Sequence, residues 1–202
     1  MDSGKRESLC ICYLLPIDSI HSINFLNYMY YKGHTLYYFC YENWSFKKYK
    51  PGENNNSKIN KTPSLLSFIY RLKYFLKRLI YIIPMFGDLI IFIKYYLLSK
   101  LMRNQLIKIE PDIVHAHYVS SNAIYAYLSK FRPLFLTLWG SDIRSDSMTK
   151  YQRKLFIQAL NNANFVTSGS KELLNISQSM GVKNNNCYNI TMPGIDISHF
   201  EK

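Results

Sequence analysis

The chain has 202 residues, 48% of them hydrophobic, and a formal net charge of +12. That balance excludes a disordered polymer, and the length allows one domain with a substantial core or at most two small ones. The four cysteines (Cys10, Cys12, Cys40 and Cys187) form no C-x-x-C pair and no zinc spacing, which points to buried thiols in a reducing compartment.

Met1–Glu7 is polar. Lys5 and Arg6 before an apolar run resemble a signal peptide, but Asp18 and His21 follow with no small-residue cleavage site. A buried strand at about Ser8–Leu15 is the better reading, with Pro16–Ser19 as the loop at its carboxyl end. His21 opens a helix to Lys32 with Ile23, Leu26, Met29 and Tyr30 on one side. Gly33 is placed to end it in the left-handed conformation, and Thr35–Cys40 is the next strand. Trp44–Thr62 contains Pro51-Gly52 and three consecutive asparagines, and reads as a long surface loop.

Composition then shifts. Asn43–Glu110 holds thirteen basic residues against three acidic ones, a surplus of 10 out of the net +12, so the chain carries a concentrated zone suited to an anionic partner. In Pro63–Ile83, Leu65, Phe68, Leu72 and Leu76 share one helical face while Lys73 and Lys77 share another, near Arg71 and Arg78. A basic amphipathic helix of this kind can lie in the interface of an anionic membrane. Pro84 to Gly87 interrupts it, and Asp88–Ile107 is a second helix. Leu79–Leu98 contains Pro84, Asp88 and Lys94, and a single central acid costs about 2.5–3.5 kcal/mol on insertion scales. The pair is therefore monotopic at most, or packs on the sheet.

Pro111–Asp142 is the most informative stretch. Asp112–Ala116 is a short apolar strand. Ser120 is placed to cap a helix over Asn122–Lys130, where Ile124, Tyr127 and Leu128 fall on one face. Arg132-Pro133 breaks that helix and Leu134–Leu138 is a second strand. The βαβ unit so formed builds parallel sheets, whose ligands sit at the strands' carboxyl ends. Here those ends carry His115 and His117, then Gly140-Ser141-Asp142. After a polar loop at Arg144–Ser147, Met148–Ala163 reads as a helix with Leu155, Phe156, Ala159 and Leu160 inward. Phe165–Thr167 is a strand, Ser170 caps a helix through Met180 that Gly181 ends, Asn184–Asn186 is a turn, and Cys187–Thr191 is the last strand. The pattern predicts an α/β fold with a mostly parallel sheet.

PDIVHAHY, a helix, then LTLWGSD resembles the family 4-like acceptor domain, the amino-terminal half of GT-B glycosyltransferases. SIHSINFLNYMYYKGH resembles that family's first loop and helix, and ALNNANFVTSGSKELLNISQSMGV with YNITMPGIDISHF resembles the end of the domain. The resemblance implies a Rossmann-like three-layer domain over residues 1–192, with a helical insertion at about 63–109. Residues 193–202, with Pro193-Gly194-Ile195-Asp196, would begin the crossing to a donor domain that lies outside the chain. One departure stands out. Pro16-Ile17-Asp18-Ser19 has no glycine where the family often uses one to approach donor phosphates.

As the resemblance implies, the chain binds an acceptor and is inactive without a donor-binding half. His117 is the expected catalytic residue, since imidazole at a strand end can hydrogen-bond a sugar hydroxyl or a leaving phosphate. His21, Trp139, Gly140, Ser141 and Asp142 are the expected acceptor-binding residues, with Trp139 as an aromatic platform where many relatives carry histidine. Arg71, Lys73, Lys77 and Arg78 are the expected membrane-surface residues. No metal is expected, because His-x-His supplies too few ligands. No cofactor is expected to bind tightly, and a nucleotide-sugar donor is expected only with a carboxyl-terminal half. The implied partners are a glycan or lipid-linked acceptor, an anionic membrane surface on its cytoplasmic side, and a separate donor-binding subunit. A catalytically silent scaffold of a split enzyme is the alternative. A nucleic-acid-binding protein would explain the charge and the 16% aromatic content, but the charge sits on an insertion and no such motif is present.

Overall fold

Six short apolar runs pair side by side in one direction, and a seventh closes one edge against them. The computed structural model describes residues 8–52, 87–143 and 148–190. Its strands are β1 (Cys10–Leu14), β2 (Thr35–Cys40), β3 (Ser45–Lys48), β4 (Ile113–His117), β5 (Leu134–Leu138), β6 (Phe165–Ser168) and β7 (Cys187–Asn189). They form a single sheet in the order β3-β2-β1-β4-β5-β6-β7. All neighbours are parallel except β2 and β3, which are antiparallel. The helices described are α1 (Ile20–Tyr31), α2 (Gly87–Ile109), α3 (Val119–Leu128), α4 (Lys150–Asn162) and α5 (Lys171–Ser179). This is a Rossmann-like α/β fold.

Right-handed crossovers decide which face each helix covers. From β1 the chain moves outward to β2 through α1. From β4 onward it moves the opposite way through α3, α4 and α5. One face therefore receives α2 to α5 and buries Cys12, Leu14, Val114, Ala116, Leu136 and Val166. The other receives α1, whose Leu26 packs with Ile11, Tyr13, Leu15, Leu36 and Tyr38. Away from α1 this second face thins: Phe165 and Tyr188 are exposed and Phe135 is half-buried.

The inward face predicted for α4 is observed: Leu155, Phe156, Ala159 and Leu160 are buried. Ser170 caps α5 by accepting from the Glu172 N–H, and Gly33 follows α1 at φ +91°. α2 belongs to the main core, burying Tyr95, Leu98, Met102 and Leu106. Three expectations are corrected. Tyr30 does not share the buried side of α1 and is 39% exposed. Trp44–Thr62 is not loop throughout, because residues 45–48 form β3. That edge is fixed from α2, where the Gln105 amide accepts from Phe46 N–H and donates to the Trp44 carbonyl. Ser120 does not cap α3, whose cap residue is Tyr118 with no side-chain bond of its own. The amphipathic segment Pro63–Ile83, with Arg71, Lys73, Lys77 and Arg78, lies outside the described residues, as do Met1–Glu7, Arg144–Ser147, Thr191 and the 193–196 crossing.

Strand order reverses between β1 and β4, and one side chain ties these two strands together. Asn122 Nδ2 donates to the His117 carbonyl at 2.7 Å and to the Leu14 carbonyl at 3.3 Å, while its Oδ1 accepts from the Tyr41 hydroxyl at 2.6 Å. Removing a partner from buried carbonyls costs about 1–3 kcal/mol. Asn122→Ala is expected to lose stability in that range by urea denaturation, and a midpoint indistinguishable from the parent would show that water replaces the amide.

Candidate functional site

In open α/β sheets ligands bind outside the carboxyl ends of the strands where the order reverses. Here the order reverses between β1 and β4. The loop after β1 is Pro16–Ser19, a turn in which the Ser19 N–H donates to the Pro16 carbonyl at 3.3 Å, and α1 starts directly after it. His117 is the last residue of β4, and Trp139 follows the last residue of β5.

Parallel register places His115 beside Tyr13 on β1 and Phe135 on β5, and His117 beside Thr137. The two imidazoles share a sheet face, with ring centroids 4.3 Å apart. His115 Nε2 bonds the Thr137 hydroxyl at 2.8 Å, which in turn bonds the Thr167 hydroxyl at 2.8 Å. His117 is only 4% exposed. Phe25 of α1 packs on it at 4.9 Å, Tyr13 lies at 5.9 Å, and the Trp139 indole N–H donates to its Nδ1 at 3.2 Å. Its Nε2 is buried with no protein partner.

Trp139 is the centre of the arrangement. The Tyr118 ring stacks on it at 5.0 Å and 7°, and the exposed His21 at the start of α1 lies 6.0 Å away. Tyr118 holds φ 51° and ψ 66°, a left-handed conformation that a bulky residue adopts at a cost. Asp142 supports this corner. Only 5% exposed, it accepts from Val119 N–H at 2.8 Å and from Trp139 N–H at 3.1 Å. Val119 N–H belongs to the first residue of α3, so the cap missing from Ser120 comes from 23 positions downstream. Gly140 takes φ +85°, which turns the chain between Trp139 and Asp142, and Ser141 is exposed on that turn.

The expected residues His21, His117, Trp139, Gly140, Ser141 and Asp142 thus lie close together at the carboxyl ends of the strands, with Asp142 facing backbone. Three further members escaped the sequence reading. Tyr118 was signalled by an aromatic between HAH and a helix. Phe25 sits four residues after His21, on the same face of α1. Asn122 carried no local signal. Among the described residues no three His, Cys, Asp or Glu side chains gather as a metal site.

Residues 88–170 match the family model described as glycosyl transferase 4-like. The match supports a glycosyl transferase 4-like domain and, in general terms, a role in glycosyl transfer. It contains His117, Tyr118, Trp139 and Asp142 and excludes His21 and Phe25 on α1. The chain has no match among curated proteins.

Burial disfavours the charged form of three of these side chains. Burial lowers the His115 pKa to about 3, although part of the residue reaches solvent, because the ring is enclosed by Tyr13, His117 and Phe135. Burial, then the neighbouring His115, pushes His117 well below the usual imidazole range. Burial pushes the Asp142 carboxyl up, against the lowering effect of the backbone N–H groups of Val119, Trp139, Asp142 and Ile143. A histidine depressed in the folded state stabilises fully above its unfolded pKa. That stability is lost as pH falls, because the unfolded chain gains the proton first. His115 should thus cost stability progressively from about pH 6.5 down to about 3, while Asp142 works in the opposite sense. His115→Gln is expected to flatten the acid limb of denaturation midpoint against pH. An unchanged limb would mean that the ring is solvated.

Proposed function

We propose that residues 1–202 supply the acceptor-binding half of a GT-B glycosyltransferase. The enzyme would move a sugar from a nucleotide-sugar to a glycan or lipid-linked acceptor in polysaccharide biosynthesis. The observation that carries this reading is the Tyr118–Trp139 stack beside His117, at the strand reversal and within the family-matched residues. Stacked rings present a flat apolar surface to the C–H face of a sugar, and Ser141 offers a polar group at its rim. His117 is the group proposed to meet the reacting centre, by a hydrogen bond to a sugar hydroxyl or leaving phosphate. His21, Gly140 and Asp142 shape the acceptor subsite. A donor-binding half, continuous with the chain or on a separate subunit, would bring the nucleotide.

Two outcomes are expected from calorimetry and activity assays on residues 1–202. Acceptor saccharides bind, and Trp139→Ala weakens them about tenfold, equivalent to about 1.4 kcal/mol. No nucleotide is released from nucleotide-sugars. Turnover by residues 1–202 alone would sink the half-enzyme reading, and binding indifferent to Trp139 would move the acceptor elsewhere. The silent scaffold of a split transferase predicts neither saccharide binding nor sensitivity to Trp139.

A second element of the proposal is peripheral attachment to an anionic membrane on its cytoplasmic face. Leu89, Ile93 and Tyr96 form an exposed row at helical spacing on α2, continued by Lys100, directly after the basic segment. No helix among the described residues is long and apolar enough to cross a membrane. Reversing charge at Lys73 and Lys77 is expected to lower partition onto anionic liposomes. Unchanged partition would return that segment to a packing role.

A further inference from the structure

The tautomer of His117 follows from its partner. An indole N–H can only donate, so the His117 Nδ1 lying 3.2 Å from Trp139 Nε1 must offer a lone pair. A neutral imidazole with Nδ1 as acceptor carries its proton on Nε2. Burial and the adjacent His115 keep the ring neutral. The Nε2–H is then a buried donor with no protein acceptor, on a ring packed by Phe25, Tyr13 and His115. An unmade buried hydrogen bond costs about 1–3 kcal/mol. Buried donors left open in this way need an explanation, and a ligand oxygen at the strand ends provides one. Any side chain at position 139 that could both donate and accept would leave the proton's location open. Tryptophan does not.

We propose that Trp139 is a positioning residue whose indole N–H locks His117 as the Nε2–H tautomer, so that the site meets its ligand with a neutral hydrogen-bond donor. The ligand atom opposite is an oxygen acceptor, either a hydroxyl or a phosphoryl oxygen, and His117 does not act as a base towards it. This deepens the acceptor-site reading and rests on it for the ligand. The lock itself is a property of the free chain.

Two-bond proton–nitrogen correlation spectra of the nitrogen-15-labelled chain, recorded without sugar or nucleotide, test it. The expected pattern for His117 is a pyrrole-like Nε2 and a pyridine-like Nδ1, unchanged from about pH 8 to about pH 5, the window over which free imidazole titrates. Trp139→Phe keeps an aromatic ring against Tyr118 and removes the donor, so both nitrogens should move towards averaged values. A pyridine-like Nε2 or a charged ring in the parent chain would overturn the proposal with no variant needed. So would a Trp139→Phe spectrum identical to the parent. Because no ligand is present, a failed acceptor-binding assay would leave this result standing, and the reverse also holds.

Discussion

The Asp142 carboxylate joins the end of β5 to the start of α3, and the corner around it depends on that junction. Its oxygens take the N–H groups of Val119 and Trp139. A helix begins there with unsatisfied donors, and a buried acid answers one of them from the neighbouring strand end. The anchored turn lets Tyr118 stay in a left-handed conformation that costs roughly 1–2 kcal/mol. Left-handed backbone at Tyr118 brings its ring flat against Trp139, and Trp139 in turn reaches His117. Three aromatic side chains are thus set by one carboxylate that acts through backbone N–H groups.

Behind that corner the sheet face is polar in an unusual way. The His115–Thr137–Thr167 chain runs across three neighbouring parallel strands and ends at the Leu136 carbonyl. Buried polar atoms that satisfy one another specify register more sharply than apolar contacts do, because a slip leaves each of them unpaired. Tyr13, Phe25 and Phe135 pack around His115, so it stays uncharged at neutral pH while its hydrogen bond stays fixed.

Much of this was legible in the residues. Period-two and period-3.6 patterns located most strands and the buried side of α4, because those signals arise within one element. Ser170 and Gly33 could be read because capping there is local. What escaped reading was non-local. β3 exists through pairing with β2 and through Gln105 on α2, some sixty residues away. Ser120 looked like a cap by the usual residue preference, while the true acceptor came from Asp142. Tyr30 fits the apolar periodicity of α1, but its ring lies beside the packed face, 39% exposed and edge-on to Tyr31 and Tyr49. At the strand ends, residue types were visible and their pairing was not: nothing in HAHY or LWGSD states that an indole would meet an imidazole.

The two borders of the sheet differ from its interior. One is β3, four residues long, antiparallel and bearing Lys47 and Lys48; the other is β7, three residues long. Brevity and lysine both blunt the backbone pairing that an open strand invites. Among the described residues, large apolar side chains are instead exposed on the broad surfaces: the row along α2, and the side of β6 and β7 where Phe165 and Tyr188 meet water. At the two described edges, pairing with a further strand is disfavoured, whereas contact laid flat against the broad faces is not.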